Sequence, residues 1–150
     1  MTVGDICSRN VVVASKTEMI VDAAKRMRFA HVGDIVVVED RKGQRVPIGI
    51  VTDRDIVLSV LAGDPDHLNH LSLNDMMSED LLTSREDEAI ESALKTMQER
   101  GVRRLPIVDV RGALVGILTL DDLLKYLTEQ QSRLVGLIAS EQRRERQYRL

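Results

Sequence analysis

The sequence is poor in aromatic residues, in cysteine and in long apolar segments. Aromatic side chains make up only 2% of its 150 residues, and tryptophan is absent. Hydrophobic residues nevertheless reach 43% and charged residues 30%, as in ordinary soluble globular proteins. The core must therefore be built from aliphatic side chains and methionine, which suits buried strands covered by helices.

A single cysteine, Cys7, excludes an intramolecular disulfide and favours a reducing compartment. We interpret Cys7 as a small apolar residue and not as a redox thiol, because no basic cluster accompanies it in the sequence. No apolar run approaches the roughly 20 residues that a membrane-spanning helix needs. The segment Met1-Thr2-Val3-Gly4-Asp5 lacks the basic start and apolar stretch of a signal peptide, so a cytoplasmic location is expected.

Excess positive charge is also missing. The net charge is −3, which argues against a nucleic-acid partner. His67 and His70 lie three residues apart, but they are close to Gly63 and Pro65 in a linker, with no cysteine or acidic cluster at ligand spacing. We therefore predict no metal site. The sequence also contains no recognisable nucleophile pattern, and we predict that the protein is not an enzyme and has no catalytic residues.

The chain contains an internal repeat. Asp5-Ile6-Cys7-Ser8 aligns with Asp75-Met76-Met77-Ser78 at an offset of 70 residues (75 minus 5). At this offset seven further positions are identical: Glu18, Ile20, Ala23, Lys25, Met27, Val32 and Val38 match Glu88, Ile90, Ala93, Lys95, Met97, Val102 and Val108. The offset then shortens to 67 (122 minus 55), where Gly49-Ile50-Val51-Thr52 aligns with Gly116-Ile117-Leu118-Thr119. The deletion falls in a turn, where length changes are tolerated.

Each copy has the pattern β-α-β-β-α. A short apolar strand opens the copy, at Val11-Val12-Val13 or Leu81-Leu82. Apolar residues at helical spacing follow, then two β-branched runs joined by a turn, and then a second helix. The first helices begin near Ile20 and Ile90. The strands are predicted over 35–39, 48–51, 105–110 and 114–118, and the closing helices over 53–61 and 120–127.

This repeat plan resembles the cystathionine-β-synthase (CBS) domain family. The resemblance covers residues 1–128 and is carried by three segments: Gly49-Ile50-Val51-Thr52-Asp53-Arg54-Asp55, Gly116-Ile117-Leu118-Thr119-Leu120-Asp121-Asp122 and Arg103-Arg104-Leu105-Pro106-Ile107-Val108. It implies an α+β fold in which two repeats pack with pseudo-two-fold symmetry, a Bateman-type module with two clefts between the copies. The chain then divides into a first repeat (1–62), a linker (63–71), a second repeat (72–128) and a C-terminal amphipathic helix (129–150).

The Gly-h-h-Thr-x-x-Asp motif, where h is hydrophobic, lies where a strand ends and a helix begins. A helix start offers free N–H groups and the positive end of the helix dipole, which together favour an anion. The family resemblance implies that Thr52 and Thr119 contact phosphate and that Asp55 and Asp122 accept hydrogen bonds from ribose. The same Ser/Thr-x-x-acid spacing also caps a helix without any ligand. Both interpretations stay open at this point.

An adenine ring would need an apolar slot and backbone groups that read its edge. The resemblance assigns these to the opening and middle strands, with Val13, Ile35, Thr83, Arg103, Arg104 and Pro106 as candidates. The copies differ there, because Gly33-Asp34 stands where the second copy has Arg103-Arg104. An aspartate repels a phosphate and an arginine attracts one, so unequal clefts are expected. Arg54, inside the first motif, either reaches a phosphate or remains solvated.

Taken together, the sequence predicts a regulatory module that binds AMP, ADP or ATP between its repeats and acts on an unidentified effector protein. A sensor of NAD or S-adenosylmethionine is one alternative, and a ligand-free interaction or dimerisation module is another. Beyond the second copy an apolar stripe continues at helical spacing. Its members are Leu123, Leu127, Leu134, Leu137 and Ile138. It is typical of a long amphipathic helix that packs on a sister subunit or on its own domain, and we predict a homodimer.

Overall fold

Each half of the chain forms a three-stranded sheet in the computed structural model, which describes residues 1–77 and 80–149. The first sheet has the order β1 (Val13–Ala14), β2 (Asp34–Arg41), β3 (Gln44–Thr52), and the second has β4 (Ser84–Arg85), β5 (Arg104–Val108), β6 (Leu114–Thr119). In each sheet the first strand is parallel to the second, and the second is antiparallel to the third. Ser78, from the repeat alignment, and Leu150, from the predicted C-terminal helix, lie outside the described residues.

Six α-helices accompany the sheets within the described ranges: α1 (Val3–Ile6), α2 (Ile20–Ala30), α3 (Asp53–Ile56), α4 (Leu73–Met76), α5 (Ile90–Arg100) and α6 (Leu120–Tyr148). A π-helical turn over Val57–Leu61 extends α3, and a 3₁₀ helix over Pro65–His70 occupies the linker. The α+β class and the duplicated plan predicted from the sequence are confirmed. One continuous α6 runs across the boundary placed after residue 128.

The two long helices α2 and α5 bury the face that the apolar spacing predicts. Ile20, Ala23 and Met27 are buried in α2, and Ile90, Ala93 and Met97 are buried in α5. Both helices end in a left-handed residue, His31 and Gly101, whose N–H groups close the last turn. Each helix thus covers one face of its own sheet, which is how a layer of this size forms a core.

The short helices α1 and α4, which sequence analysis did not predict, exchange places between the repeats. Val3 of α1 is buried in the core of the second repeat, and Leu73 of α4 is buried in the core of the first. The backbone bonds are equivalent: Val3 N donates to Glu88 O and Leu73 N to Glu18 O, both at 2.9 Å. This reciprocal exchange joins the repeats and confirms the predicted pseudo-two-fold relationship.

The leading glycine of each motif lies where the exchanged segment crosses a sheet. A Cβ on Gly116 would be 2.7 Å from Cys7 Sγ and 2.8 Å from Ser8 O, and a Cβ on Gly49 would be 2.7 Å from Met77 Sδ. Real Cβ atoms do not come this close to other heavy atoms. The two glycines therefore allow the exchanged segments, at Cys7-Ser8 and Met77, to pack directly against the sheets.

The opening strand of the second repeat begins later than the sequence predicts. In the first repeat Val36 N donates to Val12 O at 3.0 Å, and Val13 pairs with Val36. The equivalent of Val36 is Pro106, which has no N–H to donate. Pairing therefore starts one position later, at Ser84 with Ile107, and Thr83 remains outside the strand.

Candidate functional site

The two Gly-h-h-Thr-x-x-Asp motifs form complete helix caps. Asp55 N donates to Thr52 Oγ1 at 3.2 Å, and Thr52 N donates to Asp55 Oδ2 at 2.8 Å. In α6 the same pair of bonds joins Thr119 and Asp122, at 3.2 and 2.9 Å. The capping interpretation is therefore correct for both copies. It is compatible with a ligand role, because a hydroxyl that accepts one hydrogen bond can still donate to a phosphate oxygen.

An inter-repeat cleft of about 230 Å³ lies beside the second motif. The first repeat contributes residues just before and at the start of β2, and the second contributes residues just before and at the start of β5 and of α6. The lining is Val32, Gly33, Asp34, Arg103, Arg104, Thr119, Leu120 and Asp121. Three predicted site residues, Arg103, Arg104 and Thr119, are thus brought together. The start of a long helix faces this cleft, which places the positive end of its dipole there.

An ion pair crosses the cleft between the repeats. Arg104 Nε lies 2.6 Å from Asp34 Oδ2, and their side chains are 32% and 16% exposed. Burial raises the pKa of Asp34 above its usual value, the positive charge of Arg104 lowers it, and the nearby Asp53 carboxylate raises it further. Burial therefore outweighs the attraction of Arg104. A Cβ on Gly33 would lie 3.1 Å from Asp53 Oδ2 and 3.2 Å from Arg104 Nη2, so both groups crowd this point.

Unlike Arg104, Arg103 is available to contact a ligand. It is exposed at the mouth of the cleft, and it forms no ion pair within residues 1–77 and 80–149. A guanidinium in this state can bind a phosphate without first breaking an internal contact.

The other predicted site residues lie elsewhere. Asp122 lines a separate pocket of about 200 Å³ with Asp5, Ile6, Lys125, Tyr126 and Glu129. Ile35 and Pro106 are fully buried in the sheets, so only their backbone groups can face a ligand in this conformation. Thr52 and Val13 are half-buried, and Arg54, Asp55 and Thr83 are exposed.

Sequence reasoning missed the pairing of Asp34 with Arg104, although both residues were singled out. The signal was present, because 34 plus the offset of 70 gives 104. Equivalent positions can meet at a pseudo-two-fold axis, and here they carry opposite charges. The sequence expectation also treated Asp34 as an isolated repulsive charge, whereas it is bound to the arginine expected to attract phosphate.

Cys7 and the histidines take no part in this cleft. The pKa of the Cys7 thiol is raised, chiefly by burial, which disfavours the reactive thiolate. His67 Nδ1 lies 2.5 Å from Asp64 Oδ2 in the linker. Within the described residues, no group of three or more His, Cys, Asp or Glu side chains is arranged to hold a metal ion. Among the helices of the described ranges, none combines the length and apolar character needed to cross a membrane.

Comparison with known proteins identifies both repeats. The family model for the CBS domain matches residues 3–62 and 73–129. Protein MK0525 of Methanopyrus kandleri is 39% identical over 127 residues, which cover 83% of this chain but only 62% of that protein. The CBS domain-containing protein YhcV of Bacillus subtilis is 37% identical over 122 residues, covering 81% of this chain and 82% of YhcV.

Among solved structures, the CBS domain pair of protein MJ0100 superposes with a TM-score of 0.74 at 25% identity. The match covers 87% of this chain and 98% of that one. That structure is a complex with 5′-methylthioadenosine and S-adenosyl-L-methionine.

Proposed function

Because the chain belongs to the CBS domain family, we propose that it is a regulatory module whose inter-repeat cleft binds an adenosine-containing ligand. The observation that carries this proposal is the convergence of Thr119, Arg103 and Arg104 on a cleft that both repeats line. The adenosine ligands of the MJ0100 domain pair support the same class of ligand. No step of this proposal requires the chain to catalyse a reaction.

A phosphate group fits the positive features of the cleft. Arg103 is exposed at its mouth, the first turn of α6 contributes the positive end of a 29-residue helix, and the Thr119 hydroxyl lies at that turn. Together they favour AMP, ADP or ATP over an uncharged adenosine derivative. In this arrangement Asp122 fixes Thr119 through the cap. The ribose role predicted for Asp122 requires the ligand to extend from the cleft to the separate pocket that Asp122 lines.

A second ligand class is favoured by a different observation. Asp34 and Asp121 also line the cleft, and carboxylates attract a positively charged group such as the sulfonium and amine of S-adenosylmethionine. The same compound is one of the two ligands in the MJ0100 domain pair. NAD, the other alternative given by the sequence analysis, would place its pyrophosphate near Arg103.

We also propose that the protein is a homodimer. The C-terminal half of α6 is exposed along its whole described length, and four large apolar residues lie there on adjacent turns: Leu134, Val135, Leu137 and Ile138, each at least 57% exposed. An exposed apolar patch of this kind is typical of an interaction surface. If the clefts bind no ligand, this surface would make the protein an interaction or dimerisation module.

A thermal-shift screen with AMP, ADP, ATP, NAD, S-adenosylmethionine and 5′-methylthioadenosine tests the proposed function. A ligand that binds only the folded protein stabilises it by about 3 kcal/mol at a hundredfold excess over Kd. We expect a shift with at least one phosphate-bearing adenosine ligand. The absence of a shift with all six would favour the interaction module.

A further inference from the structure

The Asp34 carboxylate binds Arg104 and so competes with the anionic part of a ligand for the same guanidinium. We propose that Asp34 occupies the phosphate-accepting face of Arg104, holds the inter-repeat cleft closed, and sets a threshold that only strongly anionic adenosine ligands overcome. This inference rests on the proposed function and adds a determinant of ligand selectivity to it.

The contact is specific and partly buried. Asp34 Oδ2 lies 2.6 Å from Arg104 Nε, and the Asp34 side chain is only 16% exposed. A phosphate that binds Arg104 through the same edge must displace this carboxylate or approach it closely, and like charges in a poorly solvated site repel each other strongly. Arg103, without an ion-pair partner in the described residues, provides a first contact that does not require the displacement.

The cleft is small in this conformation. Its volume of about 230 Å³ is below the range of about 300–1,000 Å³ that is typical of small-molecule pockets. The ion pair joins the first residue of β2 to the first residue of β5, so it connects the two repeats directly. Releasing it removes one connection across the cleft, and a ligand that binds the open form better shifts the population toward that form.

Asp121 offers a matched control. It lines the same cleft and carries the same charge, but it forms no ion pair with Arg104 among the contacts of residues 1–77 and 80–149. Asp34→Asn and Asp121→Asn therefore change the charge of the cleft equally, and only Asp34→Asn removes the competitor. Both replacements preserve side-chain size, so the fold is expected to persist in each.

The test is calorimetric titration of the wild type, Asp34→Asn and Asp121→Asn with ADP and with uncharged 5′-methylthioadenosine. We expect Asp34→Asn to bind ADP about tenfold more tightly than the wild type, because a freed guanidinium gains a charge-assisted contact. We expect a gain in ADP affinity below about threefold for Asp121→Asn, from its more exposed charge. For 5′-methylthioadenosine we expect a gain below about threefold in Asp34→Asn, from opening of the cleft alone, and none in Asp121→Asn.

Each alternative outcome is decisive. If the wild type and Asp34→Asn bind ADP equally, the competitor is absent and the proposed function stands. If Asp121→Asn gains as much as Asp34→Asn, or if 5′-methylthioadenosine gains as much as ADP, the effect is not competition for Arg104. If none of the three proteins binds either ligand, this inference fails, and the thermal-shift screen with the other adenosine ligands decides the proposed function separately.

Discussion

Asp34 and Arg104 occupy equivalent positions in the two repeats, and their side chains form an ion pair with each other, 2.6 Å from Asp34 Oδ2 to Arg104 Nε. Residues related by a two-fold axis can meet only near that axis, so this pair marks where the repeats face one another. The cleft with Thr119 and Arg103 opens beside it. The duplicated fold is chemically asymmetric at this point, because equivalent positions carry opposite charges.

The first prediction concerns the pH dependence that Asp34 imposes on stability. The pKa of Asp34 in the folded protein is raised above 3.8, its value in the unfolded chain. Between these two pKa values the folded protein still holds the proton that the unfolded chain has lost. The associated stability is fully present below pH 3.8 and is lost as pH rises through the folded-state pKa. Urea denaturation from pH 4 to pH 7 should show Asp34→Asn gaining stability relative to the wild type as pH rises. A pH-independent difference between them would contradict the account.

The second prediction concerns the glycines that admit the exchanged segments. Gly116→Ala should destabilise the fold by about 2 kcal/mol, because its Cβ meets the fixed Ser8 carbonyl. Gly49→Ala should cost about 1 kcal/mol, because its closest contact is the flexible Met77 side chain.

Gly136→Ala is the control for this pair, since a Cβ there meets nothing within 4 Å on the exposed part of α6. It should stabilise by up to about 1 kcal/mol through helix propensity. Chemical denaturation measures all three variants. An equal or greater loss for Gly49→Ala than for Gly116→Ala would argue against the crossing geometry.

Sequence analysis predicted the fold well where periodicity and repetition agree. The spacing of Ile20, Ala23 and Met27 predicted α2 and its buried face, and the β-branched runs predicted both hairpins. It missed α1 and α4, although Thr2-x-x-Asp5 and Ser72-x-x-Asp75 carry the same capping boxes as the longer helices. Four-residue helices bury too few residues to generate a periodic signal.

The candidate site was less accessible to sequence reasoning. Residue types identified Thr119, Arg103 and Arg104, which do line one cleft. The exchange of α1 and α4 and the meeting of Asp34 with Arg104 depend on how the repeats pack, which a linear pattern does not specify. The adenine-binding roles assigned to Ile35 and Pro106 stay predictions, and both side chains are fully buried.

The third prediction separates capping from ligand binding at Thr119. Thr119→Ala removes the acceptor for Asp122 N and should reduce stability by about 1 kcal/mol. It should also weaken ADP binding, because Thr119 lines the cleft. Thr52→Ala should lose similar stability with a smaller loss of affinity, and Thr119→Ser should preserve both properties. If calorimetry finds the wild-type affinity for ADP in Thr119→Ala, the Thr119 hydroxyl does not contact the ligand.

The fourth prediction concerns the proposed homodimer. Replacing Leu134 and Ile138 together by Glu places charges in the exposed apolar patch of α6 and should convert a dimer to a monomer, as measured by light scattering at micromolar concentration. Ser132→Glu, on the same exposed segment but outside the patch, should leave the dimer intact. A wild-type protein with the mass of one chain, 16.8 kDa, would rule out this dimer.

The most direct test of ligand binding in the inter-repeat cleft is calorimetric titration of ADP into the wild type and Arg103→Ala. Arg103 is exposed at the cleft and has no ion pair in the described part of the chain, so its removal should leave the fold unchanged. We predict saturable binding to the wild type and about tenfold weaker binding to the variant. No binding to the wild type, or equal affinity in both proteins, would contradict the assignment of this cleft as a phosphate-accepting site.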